Sequence, residues 1–182
     1  YVLEIGATEV TQRLYRNVMG SNPVADEQDC HRWNPDVPPG PNMPVYCVSF
    51  KDAASFANKF SMEQGLDPCY VVDDLTDNVR WPKGTRCTGW RLPTEAEWEA
   101  GALYTRNGHY GNSSIYAGGK FPDEIAWHKG NSNGRPHEVA QLQPTDIGLY
   151  DMSGNVAEWI WDYHADYPTA AQTDYTGPLS GE

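Results

Sequence analysis

Apolar positions recur at helical spacing in three stretches of this chain, and the rest alternates briefly or not at all. Leu14, Tyr15 and Val18 predict a first helix over Gln12–Met19, with Thr11 as its N-cap and Gly20 as its stop. Phe50, Ala53, Ala57 and Phe60 predict a longer helix that ends at Gly65 and is opened by Ser49 and Asp52 as an approximate capping box. The preceding "VYCVSF" reads as a short strand or an extended lead-in. Thr94 and Glu97 form a T-x-x-E box, which predicts a third helix over residues 95 to about 102. Its acidic first turn suits the positive helix end, so Glu95 and Glu97 read as structural, with Arg91 as a buried ion-pair partner and Trp90 and Trp98 in the core.

Strand signals are shorter. Val71, Val72, Val79 and Trp81 flank a polar turn and predict a hairpin, and a further short strand is expected around residues 125–127. Residues 21–44 and 104–143 are rich in Pro, Asn, Gly and Ser and read mainly as loops. Length then bounds the organisation: 182 residues predict one domain, 1–182. The chain opens and closes in mid-pattern, so that domain is expected to be incomplete at both ends.

Composition changes this picture in two ways. Aromatic residues reach 12%, seven of them Trp and eleven Tyr, so the core should rest on rings whose N–H and O–H groups need partners. The formal charge of −12 and the lack of a Lys/Arg cluster argue against nucleic acid as a partner. No apolar run approaches the roughly 20 residues that cross a bilayer, so the chain is not membrane-embedded; a lipid anchor on a segment ahead of Tyr1 is compatible with this.

Cys30, Cys47, Cys69 and Cys87 allow three pairings and lack the close paired spacing of a zinc site. Each lies in a polar stretch with no core of its own, where a cross-link stabilises most, so Cys30–Cys47 and Cys69–Cys87 are favoured, each closing a loop of fewer than twenty residues. That pairing implies an oxidising, extracytoplasmic compartment; the competing reading is four free thiols in the cytosol. The five histidines, His31, His109, His128, His137 and His164, are too dispersed to form a metal or catalytic motif.

Four ordered stretches carry more information than any of these features alone. "EVTQRLYRNVMGSNP", "PVYCVSFKDAASFANKF", "GWRLPTEAEWEAGA" and "GLYDMSGNVAEWIWD" together resemble the formylglycine-generating enzyme family, also called sulfatase-modifying factor domains. The resemblance implies an irregular, loop-rich α+β fold of the C-type-lectin-like sort, with short helices and small antiparallel sheets. In catalytic members a cysteine pair near the C-terminus binds copper(I) and oxidises a sulfatase cysteine to formylglycine. None of the four cysteines here matches that pair, since all precede "GWRLPTEAEW". The "LYRNVMGSNP" stretch resembles bacterial relatives that keep the fold as secreted or lipoprotein-borne binding and scaffold domains, including variable ligand-binding proteins of diversity-generating retroelements. A binding or scaffold role for an unidentified protein or other extracellular ligand is therefore expected, with a copper-dependent oxidase as the alternative if the cysteine pair lies beyond Glu182.

The resemblance also implies a structural calcium. Calcium takes about six to eight oxygen ligands, and "DMSGNVAE" offers the Asp151 and Glu158 carboxylates with the Gly154 and Val156 carbonyls between them. Gly154 allows a sharp turn and Asn155 tolerates the same unusual backbone conformations. The competing reading has Asp151 capping a turn and Glu158 paired with a buried Arg such as Arg91. Trp159 and Trp161 would anchor a following strand in the core.

Overall fold

The computed structural model describes residues 3–26, 30, 39–104, 115–170 and 172–178. The chain divides into two compact units, one formed by Tyr1–Cys47 and Ala100–Glu158, the other by Val48–Glu99 and Trp159–Glu182.

In the first unit, α1 (Gln12–Met19) has the predicted limits. The Thr11 hydroxyl accepts from Leu14 N at 3.2 Å, and Gly20 takes the left-handed conformation, φ +84°, that lets its N–H reach Arg16 O. Tyr15 and Val18 face inward as expected. Gln12 is buried as well: its Nε2 donates to Pro44 O at 3.2 Å, and its Oε1 accepts from Asn22 Nδ2 at 3.0 Å and Gly40 N at 3.3 Å. One amide thus ties the helix to the long loop behind it, where α2 (Pro23–Asp26) starts on a proline. Cys30–Cys47 closes this loop. His31 falls outside the described residues, as does His109. "VYCVSF" forms no strand; Val10 O accepts from Val45 N, and Thr11 and Pro44 make an isolated bridge, so it is an extended lead-in only.

The second unit is built on α3 (Phe50–Glu63). Both halves of its capping box are present, Asp52 N to the Ser49 hydroxyl and Ser49 N to the Asp52 carboxylate. Its buried residues are Ala54, Phe56, Ala57 and Ser61, so the inward face is turned slightly from the one the sequence predicts. Strands β1 (Val71–Val72) and β2 (Val79–Arg80) pair antiparallel, Val71 with Arg80 and Val72 with Val79. Cys69–Cys87 bridges the ends of this hairpin, so both disulfides follow the favoured pairing. Asn58 completes the join between helix and hairpin, donating to Tyr70 O and accepting from Tyr70 N, each at 2.9 Å.

Aromatic rings supply the core of this unit. Trp161 stacks on Tyr70 at 5.2 Å and meets Trp81 edge-on at 5.2 Å, beside Ala54, Ala57 and Cys69. The residues after Glu158 do not form the expected strand: Trp161 is packed inward, whereas Trp159 gives its N–H to Val48 O and stays half exposed. The Tyr70 hydroxyl accepts from Leu92 N at 2.9 Å, and burial pushes this phenol above its usual range.

Helix α4 (Glu95–Leu103) opens on the predicted box, with Glu97 N to Thr94 Oγ1 at 3.2 Å and Thr94 N to Glu97 Oε2 at 2.9 Å. The same carboxylate takes both terminal nitrogens of Arg91 at 2.6 Å, and the guanidinium lies 4.8 Å from the Trp81 ring centre. Arg91 is therefore the buried cation the sequence predicts, with Glu97 as its carboxylate. Residues 125–127 do not form a strand; Pro122 at the first position and Asp123 and Glu124 behind it start the one-turn helix α5 (Pro122–Ile125) instead.

Both Arg91 and Glu97 side chains are only 8% exposed, so their charges depend on each other. Glu97→Gln removes the carboxylate and leaves the guanidinium buried, a loss of about 3–5 kcal/mol. Urea denaturation should show it as a large drop in midpoint; a midpoint equal to that of the wild type would contradict this account.

Candidate metal centre

The stretch 148–158 lies within the first unit. Thr145 turns the chain into it, with its hydroxyl accepting from Leu149 N at 3.1 Å and its N–H donating to Leu149 O at 2.7 Å. Three of the following residues hold left-handed backbone: Asp151 and Asn155, each at φ +58°, and Gly154 at φ +117°. At Gly154 no other residue fits, because a Cβ would overlap the Trp127 carbonyl. Asn155 then locks the loop down. Its N–H goes to Trp127 O at 3.0 Å, its side-chain oxygen accepts from His137 N at 2.9 Å, and its amide donates to His137 O at 3.2 Å. The Trp127 and His137 rings stack beneath, 3.7 Å apart.

This seating buries Asp151, which is 5% exposed. One of its oxygens accepts from Ala140 N at 2.8 Å; the other is buried without a hydrogen bond. The expected turn cap is therefore real, but it uses half of the carboxylate. Glu158 lies on the exposed side of the loop, and Gly154 and Val156 between them are exposed and half buried.

A third carboxylate, not among the expected ligands, belongs to the N-terminal segment. Both oxygens of Glu9 are buried without a hydrogen bond. Its pKa is pushed up to about 8, first by burial, then by the charges of Asp151 and Glu158, against a small opposing effect of the Asn155 amide. Glu9 sits two residues before the Thr11 cap, in "GATEVTQ", where nothing local separates it from a surface acid. Its only sequence signal is a charge set between Ile5 and Val10.

As the side chains stand, no three His, Cys, Asp or Glu residues among those described form a ready ligand cluster. Asp151 and Glu158 nevertheless both act on Glu9 electrostatically, and both oxygens of Glu9 and one of Asp151 are buried and unbonded. Such atoms are costly unless a proton or a cation meets them. A hard cation fits this all-oxygen donor set better than a soft one. The remaining histidines belong elsewhere: His128 meets Asp123 at 2.8 Å, His137 Nε2 meets Ser132 O at 3.0 Å, and His164 is exposed.

Comparison with known proteins agrees with this fold. Residues 2–178 match the sulfatase-modifying factor enzyme 1-like domain, and the chain belongs to that family. It is 32% identical to the chaperone protein LppX of Paenibacillus barcinonensis over 197 aligned positions, covering 93% of this chain and 65% of LppX. It is 31% identical to the formylglycine-generating enzyme of Thermomonospora curvata, covering 78% of this chain and 42% of that enzyme. Among solved structures, Treponema denticola variable protein 1 superposes with a TM-score of 0.75 at 34% identity, covering 95% of this chain and 67% of that one. CarF does so at 0.64 and 28%, covering 89% and 69%. The fold is thus the loop-rich, C-type-lectin-like one of this family, with short helices and a two-stranded antiparallel sheet.

The raised pKa of Glu9 has a signed consequence for stability in the presence of chelator. Between its unfolded value of 4.5 and about 8, the folded chain keeps a proton that the unfolded chain has released. The stabilisation is complete below this window and is lost as pH rises through it. In EGTA, Glu9→Gln should flatten the decline in thermal midpoint across this range; parallel curves for variant and wild type would show that Glu9 does not titrate there.

Proposed function

We propose that this chain is an extracytoplasmic ligand-binding or scaffold domain, held together by its two disulfides and by one structural calcium ion. The observation that carries the reading is the state of the cysteines: all four are paired, leaving no free thiol in the chain. Oxidation of a sulfatase cysteine by this family's chemistry uses a free cysteine pair to hold copper(I), and a cysteine ligates such a metal only as its thiolate. Copper therefore enters only with the alternative, in which a segment outside this chain brings the pair. Disulfides persist in oxidising compartments, which supports a periplasmic, cell-surface or secreted location. Among the described residues, no helix is long and apolar enough to cross a membrane. The kinship with a chaperone and with a variable protein supports binding as the task.

Within the domain, Asp151, Glu158 and the Gly154 and Val156 carbonyls would hold the calcium, and the buried oxygens of Glu9 add to this set. When bound, the ion supplies positive charge to carboxylates that otherwise repel one another. Asn155 and Gly154 hold the loop in place, and Glu9 ties the N-terminal segment to it.

Two measurements test this reading. Calcium should raise the thermal midpoint of the EGTA-treated protein, by an amount equivalent to about 2.7 kcal/mol at a hundredfold excess over Kd. Asp151→Ala, which removes the oxygen ligand, should abolish the rise; a midpoint unmoved by calcium in the wild type removes the ion from the account. Separately, the intact full-length protein, supplied with copper(I), oxygen and a sulfatase-type cysteine peptide, should leave that peptide unchanged. Catalytic formation of formylglycine would establish the oxidase instead.

A further inference from the structure

The second unit carries a surface that its own packing does not use. Within residues 159–167, Trp159, Tyr163 and Tyr167 are 48, 54 and 68% exposed. Two of these rings are nonetheless held in place. Trp159 is anchored through its N–H on Val48 O at 2.9 Å and lies edge-on to Phe50 at 5.8 Å, and the Tyr167 hydroxyl donates to Glu95 at 2.6 Å. Rings already fixed lose little further freedom when a partner covers them, and Trp and Tyr are the residues that most often dominate binding energy.

Carboxylates gather about Tyr167, and one of them, Asp162, directly precedes Tyr163 in the chain. Asp162 accepts from Glu95 N at 2.8 Å, and Glu99 follows Glu95 one turn along α4 on the same face. Glu95, Glu99 and Asp162 all raise the pKa of the Tyr167 phenol, Glu95 foremost through its hydrogen bond, up to about 12. At the hairpin of this unit three surface acids have cations: Lys51 meets Asp74 at 3.3 Å and Asp77 at 2.8 Å, and Lys83 meets Asp67 at 3.4 Å. Among the described residues Glu95, Glu99 and Asp162 form no salt bridge, so their charge faces outward uncompensated.

We propose that Trp159, Tyr163 and Tyr167, with Glu95, Glu99 and Asp162, form a docking surface for an extended, basic polypeptide segment. The proposal rests on the binding-domain reading and deepens it by naming the chemistry of the partner. An arginine or lysine side chain meets both demands of the surface, pairing with a carboxylate while its cation lies over an aromatic face. An acidic partner is repelled, and a purely apolar one leaves the carboxylates desolvated and unpaired. The net charge of −12 draws the basic segment in from a distance.

The test is a fluorescence-anisotropy titration of a labelled peptide alternating arginine with alanine, and of its glutamate counterpart, against the wild-type protein. The arginine peptide should bind and the glutamate one should not. Tyr163→Ser and Trp159→Ser leave the charge unchanged, and each should weaken binding by about tenfold or more. Tyr163→Ser, at a mostly exposed position, should keep the wild-type thermal midpoint, which separates lost binding from lost folding. Glu99→Lys should weaken binding similarly, whereas Asp74→Lys, the same charge change at the hairpin turn, should leave it within about twofold. Failure of the arginine peptide to bind, wild-type affinity in both ring variants, or equal losses in the two lysine variants would each overturn the surface. None of these outcomes bears on peptide oxidation, so the surface can fail while the binding-domain reading stands.

Discussion

A chain with so little regular structure must find partners for its backbone polar groups outside helices and ladders, and the rest of this structure follows from that need. The described residues include only one two-stranded sheet, with two residues in each strand. Side chains therefore bond the loops. Gln12 holds Pro44 and Gly40, Asn58 holds both backbone groups of Tyr70, and Asn155 holds both backbone groups of His137. Ser61 accepts from Trp90 N at 2.7 Å while donating to Ala57 O. These small polar groups sit inside because each bridges two backbone segments; losing one strands donors or acceptors on both.

How much of this was legible in the sequence depends on how far apart the bonded partners lie. Thr11 with Leu14, Ser49 with Asp52 and Thr94 with Glu97 are separated by three residues, and all three were readable as caps. The disulfide pairing was readable because each bridge closes a short polar loop. Burial of Gln12 was not, since its anchors arrive from the far end of a long loop and glutamine ordinarily reads as surface. The strand expected at residues 125–127 is absent for the opposite reason: Pro122 and the two acids behind it are local helix-start signals, and they outweigh the apolar Ile125 and Trp127. The loop at 148–158 shows both sides. Gly154 and Asn155 announce a sharp turn locally, while Glu9 joins them from the other end of the first unit and carries no local mark.

Glu97 and Glu9 are the same residue type, both buried, with opposite electrostatic solutions. Glu97 receives two nitrogens of Arg91 and the N–H of Thr94, so its charge is met inside the protein. Around Glu9 the charges that act most strongly are two further carboxylates. With twenty-five acids to thirteen lysines and arginines, the chain has few cations to spend on its interior. A proton answers the difficulty only in part, because it neutralises one carboxyl group and leaves Asp151 with an unbonded oxygen. The proposed divalent cation would answer it for Glu9 and Asp151 together.

On that reading, the ion and the disulfides do related jobs by different physics. A disulfide acts largely on the unfolded chain, whose loops it shortens, and it does so whether or not the loop packs well. An ion acts on the folded state alone, since the donors from residues 9 and 151–158 come together only there. Cys30–Cys47 closes the loop behind α1, and the carboxylate site joins the segment just ahead of α1 to residues far along the chain. The first unit thus needs restraint on both sides of one short helix. Its polar network holds the near side through Gln12, and on the other side Tyr150 N donates to Ala7 O at 2.8 Å beside the acidic cluster. Without an ion, Glu9 keeps its proton up to about pH 8, Tyr150 N still holds the N-terminal segment on Ala7 O, and Asp151 keeps its bond to Ala140.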